Sequence, residues 1–202
     1  MKKTAKGDAG YVSYEKKKRA LITLVMFAIP LTIYFSGWAY AGTRKNIMTL
    51  VAILGVLPAA KCAVNFIMIM LQKPVDSELV KRTQEKAQGL VQSYEMRVTA
   101  YEGRMPIDAM VVCGNQVVCY SSAQKGDFAF MEKHMAKILS SNGCYSVKVK
   151  IFREERAFLE RVGQMAKDPE KYREGIKFTP DETYPDLSRE EVIKHVLLAI
   201  SV

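Results

Sequence analysis

Lys61 is the residue whose surroundings make it chemically conspicuous. It interrupts an otherwise uncharged apolar run from Ile47 to Leu71, with Asn65 four residues on and Gln72 eleven on. At 3.6 residues per turn the three fall on nearly one helix face and form a polar stripe. A lysine near the middle of a membrane helix costs roughly 2.5–3.5 kcal/mol on insertion scales. The apolar runs around it hold no acid to offset that cost. Two chemistries answer it. Lys61 pairs with a carboxylate on a partner membrane protein or a second copy, or its stem lies along apolar surface while the ammonium reaches polar ground.

The other candidates are fewer. Asp108 follows the Gly103–Pro106 turn at the start of an apolar run, where a carboxylate either caps a loop or binds a metal. Cys113 and Cys119 lie in apolar β-like runs and His134 in a helical one; a thiol nucleophile with an imidazole base can be drawn from them, but no spacing demands it. The four cysteines (62, 113, 119, 144) form no C-x-x-C, and with His134 and His195 the only histidines, a Cys/His metal site is not supported. Free thiols fit a reducing compartment. No phosphate-binding, dinucleotide-binding or nucleophile-elbow motif occurs, so no cofactor is expected. Lys148, Lys150, Arg153 and Arg156 make a modest basic strip offset by Glu154, Glu155 and Glu160, which reads as a solvated face.

Charge is distributed unevenly. The 202-residue chain carries +9, yet residues 1–19 hold seven Lys and Arg against two acids, and residues 20–71 hold three cations and no acid. From Gln72 onward, 20 cations meet 19 acids. A nucleic-acid binder needs a basic domain or stripe to neutralise phosphates, and a domain at +1 argues against one. The excess sits beside the apolar runs, where anionic lipid attracts Lys16, Lys17, Lys18 and Arg19. Excess positive charge marks the cytoplasmic side, so N-terminus and C-terminal domain are both expected in the cytoplasm, with a short external loop. The setting this suggests is a multi-pass protein of the bacterial inner membrane.

The expected organisation is a basic cytoplasmic tail over 1–19, transmembrane helices over 20–41 and 47–71 joined by a loop at 42–46, and a cytoplasmic α/β domain over 72–202. Residues 1–14 are polar and aperiodic, as in a flexible tail. Both runs exceed the roughly 20 residues needed to cross a bilayer. Pro30 can kink the first; Trp38 and Tyr40 sit at its outer end; Thr32 and Ser36 offer a close approach or hydrogen bonds to the second. Ala39-Tyr40-Ala41 before Gly42 also has the form of a cleavage site, but the apolar and basic regions are long for a signal peptide.

In the domain, Asp76 or Ser77 caps a helix to about residue 93. Residues 96–101 alternate as a strand, Gly103–Pro106 is a turn, and two β-rich runs flank Gly114-Asn115 as a hairpin. Asp127 caps a helix over 128–141 ended by Gly143. Residues 145–152 form a strand, 154–166 a helix and 168–186 a loop, and Ser188 with Glu191 makes a capping box for a last helix to about Ser201.

That order, helix, three strands, helix, strand over about Asp76 to Phe152, resembles the restriction-endonuclease-like fold, including the nuclease-related domains of membrane-attached bacterial proteins. The resemblance implies a metal-binding Asp on the second strand, a place Asp108 suits, and a Glu/Asp-x-Lys triplet on the third. Cys119-Tyr120-Ser121 stands where the triplet belongs, so the resemblance implies a degenerate centre. The function expected is a non-enzymatic adaptor or accessory subunit that works through membrane lipids and an integral membrane partner or a second copy. A membrane-tethered degenerate nuclease-like or nucleic-acid-associated domain is the alternative, and a transporter or channel component resting on Lys61, Asn65 and Gln72 is a third.

Overall fold

The computed structural model describes residues 4–43, 46–100, 103–176 and 187–201. The sequence expectations for Arg44, Lys45, Tyr101 and 177–186 fall outside these. The chain forms two compact units, Gly10–Pro74 and Thr4–Ala9 with Val75–Val202.

The first unit is a pair of helices, α1 (Tyr11–Ala41) and α2 (Ile47–Met70), both long and apolar enough to span a membrane. Asn46 starts α2 by accepting the Thr49 N–H at 2.9 Å and donates to the Gly37 carbonyl at 2.9 Å. Farther along, Thr23 Oγ1 donates to the Cys62 carbonyl at 3.2 Å and Arg19 to the Asn65 carbonyl at 3.4 Å. These three pairs define an antiparallel hairpin. Its close approach is made by glycine: a Cβ on Gly37 would collide with Met48, and one on Gly55 would come within 3.3 Å of Pro30 Cβ. Thr32 and Ser36, expected to serve that approach, instead donate back to Ala28 and Ile33 of their own helix, the local bond that Ser and Thr favour.

α1 begins at Tyr11, well before Ala20, so residues 11–14, expected in a flexible tail, are helical, and the helix runs on through 15–19. Glu15 explains it, bonding Lys18 at 3.2 Å and Arg19 at 3.0 Å, the i+3 and i+4 neighbours that support a helix.

The second unit is a small mixed sheet with helices on both faces. α3 (Ser77–Lys86) leads into β1 (Val91–Ala100), β2 (Gly103–Cys113) and β3 (Gln116–Tyr120), then α4 (Phe128–Ser141), β4 (Lys148–Phe152), α5 (Glu155–Lys167), α6 (Pro169–Arg173) and α7 (Arg189–Ala199). The sheet order is β1-β2-β3-β4, antiparallel except for β3 with β4. One face packs Met110, Val112, Val117 and Ile151 against α4 and α7. The other packs Val111, Cys113 and Val118 against α3 and α5, around Phe158.

The helix expected to 93 stops at Lys86, ahead of a turn in which Gly89 has φ +75, and β1 starts at Val91 rather than 96. What hides the start of the strand is Glu95, which has φ +54. Tyr94 faces the α3–α5 side, but Met96 and Val98 face the other. Opposite, Met105 and Ile107 join Met110 on the α4–α7 side while Ala109 turns away. The left-handed residue inverts the in–out alternation of both strands, so no period of two crosses residue 95. β2 also begins earlier than the expected turn allowed. Pro106 pairs with Arg97 but lies beyond the β2–β3 pairing, which starts at Ala109, a place where a missing N–H costs no ladder bond.

The short-range signals match their elements. Asp76 and Asp127 accept N–H bonds as N-caps, Gly114-Asn115 turns β2 into β3, and Ser188 with Glu191 forms the complete capping box of α7. Bonds from Ser188 hold the Glu191 carboxyl below its ordinary 4.5. A depressed carboxylate stabilises the fold above its unfolded pKa and loses that contribution as acid protonates it. Glu191→Gln should therefore lower the thermal midpoint at neutral pH and narrow the difference from wild type on acidification.

Candidate functional site

Lys61 and Asn65 are exposed on α2, and Gln72, just past its end, is half-buried. The hairpin register places Lys61 relative to α1: Asn65 is level with Arg19 and Cys62 with Thr23. Lys61 therefore lies one helical turn, about 6 Å, inside the level of Arg19, within reach of a lysine stem directed toward the charged end. Of the four basic residues beside the apolar stretch, Lys18 and Arg19 are paired with Glu15. Lys16 is half-buried and Lys17 is exposed.

Asp108 holds a loop. Its Oδ2 accepts the Ser122 N–H at 2.5 Å, and Ser121 Oγ donates to the Pro106 carbonyl at 2.6 Å. The carboxylate thus fastens the chain leaving β3 onto β2, and among the described residues no group of three Asp, Glu, His or Cys could hold a metal ion. The thiols are equally committed. Burial pushes Cys113 up to about 11 and Cys119 higher still, and the Cys113 thiol donates to the Pro169 carbonyl at 3.8 Å. Protonated buried thiols are poor nucleophiles. His134 stacks on Phe130 of its own helix, ring centroids 6.1 Å apart. In the basic strip, Lys150 pairs with Glu132, Arg156 with Glu160, and Arg153 lies 4.2 Å over the Phe128 ring. Asp108 and Cys113 are thus spent within the fold, while the Lys150 and Arg156 pairs lie on the surface, exposed to solvent.

The most densely bonded polar cluster escaped the sequence reading. Glu190, 7% exposed, accepts the Gly114 N–H at 2.7 Å and two bonds from Arg173 at 2.9 and 3.0 Å. Arg189 donates twice to Asn115 Oδ1 and once to the Tyr145 carbonyl. Two successive residues of α7 thus clamp the β2–β3 turn, and α6 delivers Arg173 to them. Gly114 is obligatory twice over: φ is +56, and a Cβ there would strike the Tyr172 carbonyl. A cavity of about 410 Å³ opens beside the cluster, lined by Gly89, Val91, Ile176 and Ser188 among others. Every charged group on its Arg173–Glu190 wall is spent on a partner in the fold, which makes the cluster a strut. The hairpin turn was legible in the sequence; the residue 17 positions from Glu190 that reaches it carried no local signal.

A second polar junction lies on β1. The Tyr94 N–H donates to the Gly7 carbonyl at 2.7 Å, Ser93 Oγ donates to the same oxygen at 3.2 Å, and the Val75 N–H donates to Glu95 Oε1 at 3.2 Å. Three successive strand residues receive the chain at both places where it joins this unit.

Comparison with known proteins returns no family model, no curated protein and no solved structure that matches this chain.

Removing Arg173 should leave the Glu190 carboxylate buried with one N–H donor. Arg173→Ala is expected to cost about 1–3 kcal/mol, and Arg173→Ala with Glu190→Leu to recover part of it, measured by thermal unfolding of the full chain in detergent.

Proposed function

We propose that this chain is a membrane-anchored, non-enzymatic adaptor or accessory subunit. In this reading α1 and α2 cross the cell membrane as a two-span hairpin, and the N-terminus and α/β unit lie in the cytoplasm. The observation that carries it is the surface of the hairpin. Leu21, Leu24, Ile53, Leu57 and Ile67 are each more than half exposed and belong to a sleeve of large apolar side chains on both helices. Water penalises such a surface at about 25 cal/mol per Å², and a hydrocarbon layer removes the penalty. The uncharged run from Ala20 to Ala41 is about 33 Å long as a helix, against a bilayer core of about 30 Å. Trp38 and Tyr40, both exposed, lie at one end of that run and Lys16 to Arg19 at the other, the order that interfacial aromatics and the positive-inside rule favour. A bacterial inner membrane fits the arrangement.

The non-enzymatic half of the reading is supported by how the candidate groups are spent: Asp108 on a loop amide, Cys113 on a carbonyl, His134 on a phenyl ring. Membrane lipids are the first partners. Lys61 with Asn65 is then the face turned to lipid headgroups, or to an acid of an integral membrane partner or a second copy. The competing reading, a degenerate nuclease-like domain on a membrane tether, is favoured by the strand and helix order around Asp108. It lacks the triplet at Cys119-Tyr120-Ser121, and from Gln72 onward 20 cations meet 19 acids, which leaves little net charge to hold phosphates.

The anchor reading predicts that the full chain stays in membranes through an alkaline carbonate wash; release into the supernatant would refute it. Lys61→Leu should leave membrane retention intact. Loss of a co-purifying membrane protein on that substitution would assign Lys61 to a partner, and unchanged complexes would assign it to lipid. Salt-sensitive DNA or RNA binding by the full chain would favour the competing reading.

A further inference from the structure

We infer that residues 4–9 are a structural strap of the α/β unit, so that the first helix is retained in the mature protein and both ends of the hairpin leave from one side of the membrane. The inference rests on the anchor reading above for its membrane half; the strap stands on the geometry of the α/β unit.

The strap is built in at three points. The Gly7 carbonyl accepts from the Tyr94 N–H and from Ser93 Oγ, and Ser93 is fully buried. The Lys6 ammonium donates to the Leu198 carbonyl at 2.8 Å and to the Ser201 carbonyl. It thereby satisfies carbonyls at the C-terminal end of α7, where a helix leaves acceptors without partners and favours a cation. Gly7 is 92° in φ, and a Cβ on it would come within 2.5 Å of Ser93 Oγ and 3.0 Å of Leu198. The seat is thus shaped for a glycine backbone. Partial burial of the ammonium lowers the Lys6 pKa, although the residue as a whole is exposed.

Two consequences follow. Cleavage after Ala41 would remove the strap, stripping the Tyr94 N–H and the Ser93 hydroxyl of their acceptor and the end of α7 of the Lys6 cation, and leaving a buried polar group unpaired is costly. The topology is also constrained by chain length. Only Asp8, Ala9 and Gly10 separate Gly7 from α1, and Leu71 to Pro74 separate α2 from the Val75 amide held by Glu95. Three or four extended residues span at most about 14 Å, which is too short to cross a bilayer core of about 30 Å. The start of α1 and the end of α2 therefore lie on the same side as the α/β unit, and this follows without reference to charge.

The test uses the full chain in native membranes. Single cysteines replace Ala5, Thr43 and Tyr145, all exposed, in a Cys62→Ser background, and are labelled with a membrane-impermeant maleimide in sealed cells and in inverted vesicles. The expected result is labelling of Ala5→Cys and Tyr145→Cys from one side and Thr43→Cys from the other, with an intact N-terminus on sequencing of the mature protein. Labelling of residues 5 and 145 from opposite sides, or a mature chain starting at Gly42, would overturn the inference. Hydrogen exchange reads the strap itself: Gly7→Val should speed exchange of the Tyr94 amide about tenfold or more and leave the Val111 amide unchanged. Lys6→Met should give a smaller acceleration in the same direction. Unchanged Tyr94 exchange in both variants would refute the strap. If all three cysteines label equally from either side, the anchor reading fails and Tyr94 exchange alone decides the strap.

Discussion

Glu95 occupies a backbone conformation that an L-residue adopts only at a cost, about 1–3 kcal/mol when the surroundings enforce it, and much of the α/β unit is arranged around that choice. With φ at +54 it drops out of the ladder between Tyr94↔Ala109 and Met96↔Ile107. Because side chains alternate strictly along a strand, inverting the alternation at one residue exchanges the faces of everything beyond it. Tyr94 and Ala109 can then serve the α3–α5 layer while Met96 and Ile107 serve the α4–α7 layer. The side chain freed from the ladder binds the Val75 N–H. The strained residue is thus also the one that receives the chain from α2, next to the two residues that receive Gly7.

How much of this could be read from the sequence follows from the range of each signal. Asp76, Asp127 and Ser188 cap within three residues, and Gly114-Asn115 turns within two, so the elements they start were legible. The hairpin helices announced themselves by length. What failed was longer in range or broke a period. Leu90 and Val91 continue a helical spacing, and the inversion at Glu95 hides the strand that in fact begins there. Residues 1–14, polar and aperiodic, suggested a flexible tail: the Gly7 seat on Ser93 lies 86 residues away and leaves no local signal, whereas the Glu15 pairs with Lys18 and Arg19 were within helical range and went unread.

The candidate residues divide the same way. Lys61 was identified from its type, but its level along α1 depends on which residues of the two helices meet, and the Arg19–Asn65 and Thr23–Cys62 bonds supply that. Asp108 was read either as a loop-capping carboxylate or as a metal ligand, and the sequence could not show the Ser122 amide, 14 residues away, whose N–H its carboxylate accepts. The Arg173–Glu190 clamp was invisible because Arg173 lies in a Pro-punctuated segment that reads as a loop, and Glu190 in the first turn of a helix has a sufficient local explanation as a dipole-favoured acid.

The surfaces show where contact with other molecules has most to offer. Each sheet edge of the α/β unit has amides already taken. On β1, Gly7 takes the Tyr94 N–H and Ile200 takes the Thr99 N–H; on β4, Glu132 accepts the Ile151 N–H at 2.8 Å. Edge amides so occupied do not template an added strand. Among the described residues of this unit, Tyr145 is the one large apolar side chain that is strongly exposed; all the others belong to residues 21–71. Buried apolar anchors dominate stable interfaces, and here they are concentrated on the hairpin. Among its described residues the α/β unit offers mainly polar and charged contacts, which yield little when solvent-exposed. The exposed apolar surface with most binding energy to give is, among the described residues, concentrated on the hairpin.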